Sequence, residues 1–244
     1  MGLREFLARR RETSNQRTVE RLRKRLMNEH HQTMERKRAI EQLEEIGSPE
    51  ALYALLGRFS YHTQGSIVDE DEKQMVFDAL RRRGADAVPA IEEFIRRENS
   101  VYWPVRTLAE LAGEERAVQV MFEALDSIQD RWEKSMERMT QLVSCLRDFH
   151  LPAVCERLIA LAQDESEEIR FLAVDGLTTF DDDPRAVDAI LQRLFAADET
   201  VRVKTYVTDL LLDRGWNVKK YKKQIMETLP STYFVDDTGV IQRR

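Results

Sequence analysis

Two cysteines and four histidines are the whole supply of soft metal ligands in this chain. Cys145, His150 and Cys155 follow one another at steps of five and invite a zinc reading. A structural zinc needs four ligands in a tetrahedron, commonly with pairs two to four residues apart. Here three candidates straddle a turn, and free cysteine is among the most buried residue types, so the core reading is preferred. His30 and His31 are neighbours on a helix, where successive side chains diverge by about 100°, and they make no chelating pair. Three acidic runs, Asp69-Glu70-Asp71-Glu72, Asp164-Glu165-Ser166-Glu167-Glu168 and Asp181-Asp182-Asp183, lack the alternating oxygen ligands and turn glycine of a calcium loop. They are expected to cap helix starts. No glycine-rich phosphate loop, Gly-x-Ser-x-Gly, His-Glu-x-x-His or Cys-x-x-Cys occurs in the sequence. The expectation is a protein that is not an enzyme and holds no cofactor or metal.

Aromatic and arginine side chains are the other chemistry on offer. Tyr102-Trp103 opens one helix, Trp132 opens another, and Phe171 and Tyr206 fall near the corresponding positions later in the chain. Exposed Trp, Tyr and Arg are the residues that dominate binding hot spots. The competing reading is packing, because large rings fill the gaps between helices. Tyr102, Trp103, Arg106, Trp132, Arg170 and Arg202 are the expected contact residues for a protein partner. Trp216 is expected to anchor a closing helix.

These residues sit on a repeated frame. Taking Gly47, Gly84, Gly113, His150, Asp181 and Gly215 as end markers, the position four before each is Leu43, Leu80, Ala109, Leu146, Leu177 and Leu211. The position eight before is Ala39, Val76, Val105, Leu142, Ala173 and Val207. The markers are 37, 29, 37, 31 and 34 residues apart, a period that points to stacked helical units. Helix pairs are expected at 49–59 with 70–83, 86–97 with 100–112, 114–126 with 131–148, 151–163 with 167–180 and 184–197 with 199–214. An incomplete unit at 16–30 with 34–46 precedes them, and a helix at 217–229 closes the array. Gly47 ends one helix, Ser48 caps the next and Pro49 occupies its first position; Asp183-Pro184 repeats that start. Thr13-Ser14-Asn15 is expected to break the N-terminal helix. Asp236-Asp237-Thr238-Gly239, between apolar β-formers, suggests a small hairpin docked on the last helices. The fold class is therefore all-α: an α-solenoid of about six antiparallel helix pairs with a C-terminal hairpin. Its segments are a basic N-terminal arm at 1–33, the repeat array at 34–229 and a tail or hairpin at 230–244.

Charge divides the chain unevenly. Residues 1–38 carry 12 Lys/Arg against 5 Asp/Glu, whereas the other 206 carry 26 against 39. An acidic body repels a phosphate backbone, so nucleic-acid binding is not expected except through the arm. Two cysteines make no disulfide scaffold, and no apolar run spans a membrane. The start is basic without an apolar stretch, and Phe6 stands where myristoylation needs Ser or Thr. A cytoplasmic location is the expectation.

The repeat can be given a family resemblance. Ser166-Glu167-Glu168-Ile169-Arg170-Phe171-Leu172-Ala173-Val174-Asp175-Gly176-Leu177 resembles the second helix of HEAT repeats, especially the short repeats of bilin-lyase relatives. Asp198-Glu199-Thr200-Val201-Arg202 is similar to its opening, and Gly47-Ser48-Pro49-Glu50-Ala51 to the linker between helices. The resemblance covers about residues 16–229 and is degenerate at 69–84 and 131–150. It implies that second helices line a concave face used for protein–protein binding or scaffolding. Eleven before each marker stand Arg36, Lys73, Tyr102, Met139, Arg170 and Lys204, which implies a ladder of cations pairing with carboxylates of neighbouring units. Two rivals follow from the resemblance: a bilin lyase-like enzyme, or nucleic-acid binding driven by the basic arm.

Overall fold

The computed structural model describes the backbone of residues 3–28, 30–63 and 65–244, and side chains from residue 15 onward within those ranges. The apolar patch Leu3, Phe6 and Leu7 and the basic run Arg9-Arg10-Arg11 have side chains outside the described residues, as does the Met1-Gly2 start. The fold is built from α-helices with a small antiparallel sheet at the C-terminal end. It divides into two compact units, 1–145 and 146–244.

The first unit contains α1 (Leu3–Leu26), α2 (Thr33–Ile46), α3 (Pro49–Leu56), α4 (Ser66–Arg83), α5 (Val88–Arg97), α6 (Tyr102–Ala112), α7 (Glu114–Asp126) and α8 (Glu133–Leu146), whose last residue belongs to the second unit. Odd-numbered helices pack in sequence, α1 on α3, α3 on α5 and α5 on α7. Even-numbered helices do the same from α2 through α4 to α6, so two helical layers face each other within this unit. Short connections enforce that order. Gly47 takes the left-handed conformation that closes α2, donating its N–H to the Leu43 carbonyl. Ser48 Oγ then accepts the Ala51 N–H at 3.3 Å, and Pro49 fills the first turn of α3.

The second unit contains α9 (Pro152–Leu161), α10 (Glu167–Leu177), α11 (Pro184–Phe195), α12 (Val201–Arg214), α13 (Lys222–Thr228), β1 (Tyr233–Val235) and β2 (Ile241–Arg243). Two repeat copies here lack the glycine stop. Instead, a 3-10 turn at Thr178–Phe180 follows α10, and His150 stacks on Phe180 at 4.4 Å. Asp183 accepts the Arg185 N–H and Pro184 follows it, as the sequence indicates. The hairpin pairs Val235 with Ile241 across a turn in which Asp236 accepts the Val240 N–H and the Thr238 hydroxyl. It docks through the Val218 N–H to the Gly239 carbonyl, 2.7 Å. Val218 is the buried side chain at this joint, and Trp216 is only half-buried.

Eleven of the twelve column residues are buried. Ala109 is the exception, half-buried, with Leu108 taking the interior place beside it. Two expectations are corrected. Thr13-Ser14-Asn15 does not break the first helix, since α1 runs unbroken through it. The run Asp69–Glu72 does not cap a helix start. Because α4 begins at Ser66, Asp69 and Glu72 face inward from its first two turns, where both are buried.

Candidate docking surface

Charge in the first unit is hidden before any is shown. Glu72, fully buried, accepts from Arg36 at 3.0 Å and from Arg58 at 2.7 Å. Asp69 accepts from Arg58 and Lys73, each at 2.7 Å, and from the Thr63 N–H at 2.9 Å. Burial alone pushes the Asp69 carboxyl up, but the Lys73 and Arg58 hydrogen bonds outweigh it and hold the group well below the usual carboxylate range. Remaining guanidinium donors reach main-chain carbonyls, Tyr61 from Arg58 and His31 from Arg36. This cluster joins α2, α4 and the segment after α3, and every member has a partner. It is a structural knot.

The next two cations of this unit serve the same end. Arg83 donates to carbonyls at the end of α2, and Arg138 to the Arg96 carbonyl at the end of α5. A groove of about 530 Å³ lies over α1, α3 and α5, with Val19, Pro49, Tyr53 and Pro89 on its walls. Four of its charges pair with one another, Arg23 with Glu20 and Arg97 with Glu93.

The start of α6 differs. The sequence Tyr-Trp-Pro-Val-Arg opens this helix with Pro104 in its first turn, where a missing N–H is not needed. Val101 precedes the helix, and no side chain caps its N-terminus. Tyr102, Arg106 and Glu110 stand four apart and share one face, while Pro104, Val105 and Leu108 are buried on the other. Trp103 lies between the two sets. Its ring stacks on Phe59 at 5.7 Å with 3° between planes and meets Phe77 edge-on at 5.8 Å. Tyr102 stands edge-on to Trp103 at 6.3 Å and is 45% exposed. The Arg106 guanidinium lies over both rings, 5.5 Å from the Tyr102 centroid and 5.3 Å from that of Trp103. Glu110, the carboxylate one turn along, is taken by Arg81 of α4. Among the described residues Arg106 has no carboxylate partner; its one protein acceptor is the Tyr102 hydroxyl at 3.5 Å.

Trp132, just before α8, is 79% exposed. Asn99, in the turn leading to α6, donates to Glu137 of α8 at 2.8 Å. The first turns of α8 therefore lie beside the entry to α6. Tyr102, Trp103 and Arg106 form one cluster, and Trp132 stands apart from it with no ring contact among the described residues.

Arg170 and Arg202 belong to the second unit and are engaged. Arg170 grips Glu199 through two hydrogen bonds of 2.9 and 2.7 Å and also donates to the Asp164 and Glu165 carbonyls. Burial pushes Glu199 up, but the Arg170 bonds bring it below its ordinary value. Arg202 donates to Glu168 at 2.6 Å while lying 4.1 Å over the Phe171 ring. Tyr206 packs on Phe171 and donates to Asp175 at 2.5 Å. Burial first, and that carboxylate second, raise the Tyr206 phenol. Of the expected ladder, Arg36 to Glu72 and Arg170 to Glu199 are the rungs that reach a neighbouring repeat copy; Lys73 turns back to its own helix.

Among the described residues, no three His, Cys, Asp or Glu side chains gather to hold a metal ion. Cys145 and Cys155 are buried, and the Cys155 thiol faces Asp183 at 3.6 Å. Burial and that carboxylate push the thiol up to about 11, which keeps it protonated at neutral pH. His62 stands on Asp69 and Lys73, a neighbourhood the sequence did not reveal, because those residues lie seven and eleven positions on.

Comparison with known proteins adds little to this geometry. No protein-family model matches the chain. A stretch of 149 residues, 60% of the chain, is 28% identical to the chromosome partition protein Smc of Mycolicibacterium paratuberculosis. The chain spans 11% of that protein's length. A match of that extent assigns no family. Among the described residues, no helix is long and apolar enough to cross a membrane.

Proposed function

We propose that this chain is a HEAT-like helical scaffold that binds another protein through the first unit, at the start of α6. The observation that carries this reading is the Arg106 guanidinium spread over Tyr102 and Trp103 with no carboxylate among the described residues to neutralise it. An exposed tyrosine, a half-buried tryptophan held rigid by Phe59 and Phe77, and an arginine with unused donors are the ingredients of a hot spot. Trp132 is a peripheral contact. Arg170 and Arg202 drop out of the docking set, because carboxylates already occupy them. The two-layer order of the first unit and the burial of the repeat columns support the HEAT-like reading. The lyase rival rests on resemblance alone. The arm-driven rival rests partly on Arg9, Arg10 and Arg11, whose side chains lie outside the described residues.

The test is capture from a native extract by wild-type protein, by Tyr102→Ala/Arg106→Ala and by Arg202→Gln, compared by quantitative mass spectrometry. The reading expects a partner held by wild type and Arg202→Gln and lost from the double variant. A partner set identical for all three would refute it.

A further inference from the structure

The chemistry at the start of α6 narrows the kind of segment it would hold, an inference that rests on the docking reading above. Three features there call for the same counter-group. Among the described residues Arg106 donates one hydrogen bond, to the Tyr102 hydroxyl, and its guanidinium lies over two rings. Its natural helix partner, Glu110, is diverted to Arg81. The first turn of α6 has no side-chain cap and carries the positive end of the helix dipole. A carboxylate satisfies the guanidinium in bidentate fashion. The flanking surface is aromatic, Tyr102 outside and Trp103 beneath, which suits an apolar side chain rather than a second charge.

We propose that the start of α6 binds a peptide segment of another protein that carries an aspartate or glutamate beside an apolar side chain. The carboxylate meets Arg106, and the apolar group covers Tyr102 and Trp103. A basic segment is disfavoured, because it would bring its charge against an unpaired guanidinium. The start of α12 in the second unit holds an arginine over an aromatic ring that the protein closes by itself. Arg202 there has its carboxylate built in, from Glu168, and the helix start is capped by Thr200.

The test is selection of a randomised nonapeptide library on the full chain, with enriched peptides resynthesised and their affinities measured. Selected peptides are expected to place Asp or Glu next to an aliphatic or aromatic residue. Replacing that acid by its amide, or Arg106 by Glu, should weaken binding by about tenfold or more, the loss expected for one charge-assisted pair. Arg106→Gln serves as a milder variant, and circular dichroism checks that both fold. Arg202→Gln should bind like the wild type. Peptides that depend on Tyr102 but carry no acid, or that bind Arg106→Glu as well as wild type, would overturn the acidic partner and leave the docking surface standing. Absence of any peptide sensitive to Tyr102→Ala would sink both. Self-association that Arg106→Glu abolishes would also overturn the proposal, in favour of a second copy as the occupant.

Discussion

The starts of α6 and α12 use the same materials to opposite ends. Each sets an arginine over an aromatic ring near a tyrosine: Arg106 over Tyr102 and Trp103, Arg202 over Phe171 beside Tyr206. At α12 both polar ends are answered, Arg202 by Glu168 and Tyr206 by Asp175. In the first unit the only polar answer to Arg106 among the described residues is the Tyr102 hydroxyl. Residue type therefore does not distinguish an open arginine from a paired one. The position of carboxylates does, and that is set by which helices the fold brings side by side.

The contrast separates charges that hold the fold from charges that face outward, and perturbation can break it at several levels. The largest effect is expected at Glu72. Its removal as Glu72→Ala takes away the buried carboxylate shared by Arg36 and Arg58 and should cost about 4 kcal/mol, read by urea denaturation. Arg170→Ala removes both short guanidinium bonds to buried Glu199 and leaves it Arg193 at 3.5 Å and the Thr200 N–H, with an expected loss of about 3 kcal/mol in the same measurement. If Arg170→Ala folded with wild-type stability yet lost a partner, Arg170 would return to the docking set.

Acid should act on the same interior groups. Asp69 and Glu199 both titrate below their ordinary values in the folded chain. The stability they contribute is complete above the unfolded carboxylate value near 4 and fades as pH falls through their lower folded values. Urea midpoints that decline from about pH 5 downward, and decline less in Asp69→Asn, would agree with this sign. A smaller effect falls on the surface. Tyr102→Ala should change stability by no more than about 0.5 kcal/mol while weakening docking by about 2 kcal/mol, seen by calorimetry of the captured partner. Smallest of all, Arg202→Ala removes a solvent-exposed ion pair and should shift the unfolding free energy by about 0.5 kcal/mol, with docking intact.

Much of the frame was legible in the chain itself. The apolar columns found the interior at every copy except Ala109, and Ser48-Pro49 and Asp183-Pro184 marked helix starts because their capping chemistry is local. The Thr13-Ser14-Asn15 cluster misled, since helix propensities among such residues differ by only a few tenths of a kcal/mol and no Gly or Pro enforces a stop. Asp69 and Glu72 misled for another reason. Their roles depend on Arg36 and Arg58, one of them 36 residues from its carboxylate, and periodicity says nothing about pairing at that distance. The same limit applied to the candidate site. Tyr102, Trp103, Arg106, Arg170 and Arg202 were all visible as residue types, but only the fold showed that Glu199 and Glu168 close two of the three arginines.

The most direct measurement is the rate at which phenylglyoxal modifies each arginine of the native chain, followed by mass spectrometry of its peptides. The account predicts that Arg106 reacts faster than Arg202 and that Arg170 stays unmodified until the chain unfolds. Arg106 protected to the same degree as Arg202, or Arg170 reacting as quickly as Arg106, would contradict it.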